Sequence, residues 1–286
     1  MRVWLIVNPA SGSVKGAGSG TGESALDGPA ARAGLFIAGS STFPRDPLPG
    51  PRQLAAAKVE MVVLFAGDGT INAAIRALEG WDGRILILPG GTMNLLARRL
   101  HGPADPATIL TRATAMPAPD LIPLPYVEAG PHRAFVAMIA GPPSTWAHAR
   151  EAVRKGRLTA AWRAVRLAWA RSFAGGVRLR GGRHGGRLRA LVFIPDERDM
   201  EVAAIDLNGW LEALRLGAEW LGGAWRASPA IALSRHDLAT VEGGRSVHLL
   251  FDGETAKLPA PLRVRHGTSR LRFLRTIDPS AGDRAA

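Results

Sequence analysis

Apolar positions in the first hundred residues fall into short continuous runs separated by stretches of helical period. Val3–Val7 is one such run, stopped by Asn8-Pro9, the pattern of a strand buried on both faces. A Gly/Ser-rich loop from Ser11 to Gly22 follows, then a weaker strand near Leu35–Ala38. Helical periodicity over Arg52–Lys58 leads into a second buried strand, Met61–Ala66. Ile71–Leu78 is predicted helical, the ILIL run between Arg84 and Pro89 is a third strand, and Asn94–Leu100 is another helix. This β-α-β-α order predicts an α/β fold whose N-terminal part is a doubly wound parallel sheet. Pro103, Pro106, Pro117, Pro119, Pro123 and Pro125 interrupt the pattern, so a domain boundary is expected there, with domains over 1–122 and 123–286. The tail after about residue 268 is expected to be able to return to the first domain.

The second half has a different texture. Phe135–Ala140 is a predicted strand, and Gly141-Pro142-Pro143-Ser144 is placed to cap a long helix from about Thr145 to Phe173. The glycine-rich stretch Gly175–Gly186 lies between alternating runs, Val177–Arg180 and Arg187–Ile194, and reads as a hairpin. Short strands are expected around Ala203–Leu207, Ala230–Leu233, Ser246–Phe251, Leu262–Arg265 and Leu271–Leu274. The second domain should therefore be mostly antiparallel and β-rich, with one prominent helix.

Composition narrows the classes. With 47% hydrophobic residues in 286, the chain has ample material for a core and is not a disordered polymer. It has no cysteine, which excludes disulfide frameworks, thiolate metal sites and a cysteine nucleophile. The longest apolar run, Ala134–Ala140, falls far short of the roughly 20 residues of a membrane span, and the N-terminus lacks a signal-peptide pattern. The net charge of +12 is concentrated: Trp146–Arg189 holds 12 Lys/Arg against one acid, Glu151, which points to a polyanionic partner, either anionic lipid or nucleic acid.

Candidate chemistry lies in the loops after the predicted parallel strands, where open α/β sheets bind ligands. These are Asn8-Pro9-Ala10-Ser11-Gly12-Ser13, Gly67-Asp68-Gly69-Thr70 and Pro89-Gly90-Gly91-Thr92-Met93-Asn94. The last two run straight into helices, whose first amides and dipole favour phosphate. Ser11, Thr70 and Thr92 add hydroxyl donors. A carboxylate among such groups is repulsive unless a cation intervenes, so Asp68 suggests Mg²⁺ bound with a nucleotide.

The ordered set NPASG, AGDGT and PGGTMNLLA resembles the catalytic domain shared by diacylglycerol, sphingosine and ceramide kinases and their bacterial lipid-kinase relatives. Phe251-Asp252-Gly253-Glu254 is similar to that family's DGE motif. The resemblance implies a first domain of the phosphofructokinase and NAD-kinase type, with ATP and Mg²⁺ as cofactors and the nucleotide in a cleft between the domains. It also implies roles: Asn8, Ser11 and Gly12 border the nucleotide, and Gly67, Gly69 and Thr70 hold its phosphates. Asp68 organises Mg²⁺, Gly91, Thr92 and Asn94 close the other side, and Thr42 touches ATP. Glu254 would be the general base toward a lipid hydroxyl, with Asp252 supporting it. Three departures qualify the likeness. Ala66 replaces the first glycine of GGDGT, and Leu95 stands where many diacylglycerol kinases carry an Asp. The second-domain glycine motif is not recognisable over Ile194–Leu216.

On a helical wheel from Arg157 to Phe173, Trp162 and Trp169 share an apolar stripe flanked by Arg163, Arg166 and Arg171, a pattern suited to a headgroup layer. Packing of that stripe on the second domain's sheet accounts for it equally well. The expected partner is a lipid substrate in an anionic membrane surface, with the protein cytoplasmic and peripheral to the inner face. Nucleic-acid motifs are missing, and the oligomeric state is open, a homodimer included. His101, His132, His148, His184, His236, His248 and His266 form no metal motif and read as loop or surface residues. Two other functions share these features: a catalytically silent lipid-binding or regulatory protein, and an NAD kinase, which uses the same GDGT logic on a soluble acceptor.

Overall fold

The computed structural model describes residues 1–11, 26, 28, 31, 34–91, 94–115, 120–141, 176–181, 186–206 and 231–277. The chain divides into two compact units, Met1–Leu124 with Thr268–Ala286, and Pro125–Gly267. Its first elements are β1 (Arg2–Val7), β2 (Phe36–Thr42), α1 (Pro51–Ala56), β3 (Met61–Ala66), α2 (Asp68–Ala77), β4 (Arg84–Pro89), α3 (Leu95–His101), α4 (Pro106–Ala115) and β5 (Asp120–Ile122). The strands that follow are β6 (Pro125–Ala129), β7 (His132–Ala134), β8 (Met138–Ala140), β9 (Arg178–Leu179), β10 (Ala190–Pro195), β11 (Met200–Ile205), β12 (Ile231–His236), β13 (Leu238–Glu242), β14 (Ser246–Phe251), β15 (Glu254–Pro259), β16 (Leu262–Thr268) and β17 (Arg272–Arg275).

The first unit is built on a six-stranded sheet of order β2-β1-β3-β4-β17-β5. All its pairings are parallel except β17 with β5. Every residue of β3 is buried, as a central parallel strand covered on both faces requires. One face sends Val3, Leu5, Val63, Phe65, Leu86 and Leu88 into a core closed by Ile109, Leu110 and Ala113 of α4. That helix lies inside the proline-interrupted stretch read above as an interdomain break. Pro106 opens it, where a missing N–H costs nothing, and the Asp105 carboxylate accepts the amides of Ala107 and Thr108, both at 3.0 Å. The second departure is α2, which begins at Asp68, three residues before the predicted start. Its first turn is the Asp-Gly-Thr motif itself.

The second unit pairs a six-stranded sheet, β12-β11-β10-β8-β14-β15, with a five-stranded one, β7-β6-β16-β13-β9. Alternating residues of both, among them Val127, Val241, Val264, Leu191, Phe193, Val202 and Leu249, form one shared core. Among the described residues the predicted hairpin at 177–194 is reduced to the Val177–Leu188 bridge, because β9 pairs with β13 and β10 lies between β8 and β11. The strand predicted from Phe135 begins only at Met138. The long helix predicted over Thr145–Phe173 lies outside the described residues.

His101 departs from its reading as a surface residue. It is fully buried, because it continues the inward stripe of α3 with Leu96, Ala97 and Leu100. Its Nδ1 lies 3.0 Å from Thr276 Oγ1, while Nε2 is buried without a hydrogen-bond partner. Loss of hydration, reinforced by the charge of Arg112, pulls its pKa down to about 4.

Candidate functional site

Parallel register sets the ends of β1, β3 and β4 side by side, with Val7 opposite Phe65 and Ala66 opposite Pro89. The loops that leave these ends are tied to one another by side chains and by backbone contact. Asn8 uses both ends of its amide: Oδ1 accepts the Ala10 N–H at 2.9 Å, and Nδ2 donates to Thr70 Oγ1 at 2.8 Å. Ser11 Oγ accepts the Gly67 N–H at 3.1 Å. A Cβ at Gly91 would stand 2.7 Å from the Gly67 Cα, and one at Gly90 would stand 2.6 Å from the Ala66 nitrogen. Only glycine lets these two backbones approach so closely. Asn94, left-handed at φ 52°, caps α3 and turns its Oδ1 back onto the Gly91 N–H at 2.6 Å.

The amides of Gly67 and Gly91 are thus engaged by Ser11 and Asn94, so both glycines act here through their lack of a side chain. The first turn of α2 is the Asp-Gly-Thr motif. Asp68 begins it, half-buried, with Oδ1 3.5 Å from the Leu96 amide of α3, and Gly69 follows. Thr70 is 7% exposed and anchored by Asn8.

Thr42 ends β2 directly opposite Val7, and Phe43 N–H continues the pairing to the Val7 carbonyl at 2.8 Å. Its position is braced by Asp46, whose carboxylate accepts the Thr42 N–H at 2.7 Å and a contact from Arg45 at 3.1 Å. The Arg45 guanidinium and the Thr42 amide hold the Asp46 carboxyl below the ordinary carboxylate range. Sequence reading missed Asp46. The signal available was an Asp four residues after the Thr, able to close a turn back on its amide.

In the second unit, Asp252 and Gly253 form the two-residue turn of the β14–β15 hairpin, with φ of 46° and 97°. Asp252 is 7% exposed, and its carboxylate accepts three consecutive amides, from Phe135 at 2.7 Å, Val136 at 3.0 Å and Ala137 at 2.9 Å. It is therefore a structural anchor that fixes the turn from which Glu254 projects. Glu254 is exposed and opens β15 opposite Phe251. Gly12, Thr92, Trp162, Arg163, Arg166, Trp169 and Arg171 lie outside the described residues.

Among the described residues no group of three His, Asp or Glu is placed to hold a metal ion. Among the described residues of the three loops Asp68 is the carboxylate that could take part in holding Mg²⁺, an ion that binds through one or two carboxylates and completes its shell with phosphate and water. No helix among the described residues is long and apolar enough to cross a membrane.

Residues 2–118 match the family model described as the diacylglycerol kinase catalytic domain. A structure described as a diacylglycerol kinase from Bacillus anthracis str. Sterne superposes with a TM-score of 0.64 at 16% identity, covering 98% of this chain and 97% of that one. A second from the same organism, described as a candidate diacylglycerol kinase, gives 0.66 at 18% identity, with 98% of both chains covered. At these identities the likeness establishes the fold. No curated protein matches the sequence significantly.

Proposed function

We propose that this protein, whose residues 2–118 carry a diacylglycerol-kinase-like catalytic domain, transfers the γ-phosphoryl group of MgATP to a hydroxyl of a membrane lipid. The observation that supports this most is the convergence of three sequence-distant loops. Asn8 on Thr70, Ser11 on Gly67 and Gly91 against Gly67 build one small-residue cradle at the carboxyl ends of β1, β3 and β4. Such a cradle suits a polyphosphate because glycines keep side chains out of the contact between these loops and the start of α2 offers helix amides and a dipole that favour phosphate.

In this reading Gly69 and Thr70 border the phosphates, Thr42 contacts the nucleotide, and Asp68 orients the cation and its water. Bound Mg²⁺ would neutralise charge on the transferring group. Glu254 accepts the proton of the lipid hydroxyl as that oxygen attacks phosphorus, and Asp252 keeps the Glu254 turn in place. Phosphoryl transfer depends mainly on position and charge neutralisation, so an exposed carboxylate held by a rigid turn suffices as base. The lipid acceptor, the membrane association and the inner-face location belong to the proposal.

Leu95 favours a second reading, a silent lipid-binding or regulatory protein, since it replaces an acid that many diacylglycerol kinases carry beside the nucleotide. Incubation with γ-labelled ATP and mixed lipid extract separates the two. A labelled lipid that disappears in Asp68→Ala and Glu254→Ala supports the kinase, whereas the absence of both a labelled lipid and ATP binding by calorimetry overturns it.

A further inference from the structure

The five-stranded sheet of the second unit turns one face into the core through Val127, Leu179, Val241 and Val264. Its opposite face, over β9, β13 and β16, is strongly cationic. Register places Arg265 directly opposite Leu238 and Arg263 opposite Thr240, and Arg178 opposite Glu242. Arg180 extends the row, its N–H donating to the Thr240 carbonyl at 2.9 Å. Four arginines thus stand against one glutamate, and that glutamate is paired with Arg180 at 2.7 Å. Arg178, Arg263 and Arg265 are exposed and make no ion pair with any described residue. Amid them Leu238 is 51% exposed, a large apolar side chain on a strand whose neighbours Ala239 and Val241 are buried.

We infer that this face docks on an anionic phospholipid surface, with Leu238 entering the headgroup layer and Arg178, Arg263 and Arg265 meeting lipid phosphates. The inference rests on the lipid-kinase reading for the nature of the substrate, and assigns membrane contact to residues of β9, β13 and β16. Charge complementarity selects the occupant. A second copy of this face would bring like charges together. A nucleic-acid strand would need bases stacked on aromatic rings, yet Tyr126, the aromatic of the neighbouring strand, is covered by Arg133 at 4.5 Å and by the close approach of Gly267. A bilayer accepts cations through its phosphates and an apolar side chain between them.

The test uses the full chain with vesicles of phosphatidylcholine alone or with 30% phosphatidylglycerol, where the percentage is about that needed for a strongly negative surface. Arg263→Glu/Arg265→Glu should lower binding to the anionic vesicles by about thirtyfold or more, as ~1 kcal/mol for each of two arginines implies. Arg52→Glu/Arg112→Glu, the same charge change in the first unit, should leave binding within about threefold. Because the chain has no cysteine, Leu238→Cys carries a polarity-sensitive fluorophore at that site alone, and its emission should shift to the blue on anionic vesicles only. Equal binding by the two double variants, no shift from the probe, or loss of oligonucleotide binding without loss of vesicle binding would each overturn the inference. Vesicle binding through this face with no lipid phosphorylation would leave the inference standing and remove the kinase reading. Lipid phosphorylation by a chain whose probe does not shift on anionic vesicles would do the reverse.

Discussion

Ser11 and Gly67 stand 56 positions apart in the chain, and the hydroxyl of one accepts the amide hydrogen of the other at 3.1 Å. That bond fastens the loop after β1 to the start of α2, where an incoming phosphate would meet helix amides. Ser11→Ala leaves a partly buried N–H without its partner, which costs ~1–2 kcal/mol. The expected outcome is a Tm lower by a few degrees and ATP affinity weakened about tenfold, read by thermal unfolding and calorimetry.

Gly91→Ala should be worse for the site than its size suggests. The added methyl would stand 2.7 Å from the Gly67 backbone, so the two loops must part. A loss of ~1–3 kcal/mol in stability is expected, with nucleotide binding falling below detection while the second unit keeps its own β-sheet signature in circular dichroism.

Asp252 and Glu254 should separate by phenotype. Removing the Asp252 carboxylate strands three amides and places Ala in a left-handed turn, so Asp252→Ala should destabilise by ~3 kcal/mol or more in denaturant titration. Asp252→Asn keeps an acceptor and the turn preference and should recover part of that loss. Glu254→Ala touches an exposed side chain, so stability should hold while lipid phosphorylation falls by about 10²–10⁴-fold.

His101 makes the first unit sensitive to mild acid. Its folded pKa of about 4 lies below the ordinary histidine value of 6.5, so below pH 6.5 the unfolded chain takes up a proton that the folded chain refuses. Stability is expected to fall from pH 6.5 towards 4, by no more than ~3 kcal/mol from this group, and then to level. His101→Leu should flatten that part of the profile. An unchanged slope in His101→Leu would assign the acid sensitivity to other groups.

The buried strands were legible because a run such as Met61–Ala66 has few other ways to hide its side chains. The loops were legible because glycine next to hydroxyl and carboxylate groups at strand ends is uncommon. The helix Pro106–Ala115 escaped notice because its opening proline belongs both to helix starts and to breaks, and the capping by Asp105 shows only in three dimensions. Asp46 and the buried end of Asp252 escaped for the same reason: a carboxylate in a turn has the same local sequence whether water or backbone amides surround it.

Local periodicity and turn chemistry, which act over a few residues, marked in the sequence itself the buried parallel strands Val3–Val7, Met61–Ala66 and Arg84–Pro89 and the glycine loops that follow them. Tertiary structure alone decided which loops meet, that His101 is sealed inside, and that Arg272–Arg275 inserts between β4 and β5. Those outcomes depend on pairing and burial between residues far apart in the chain, and no local pattern encodes them.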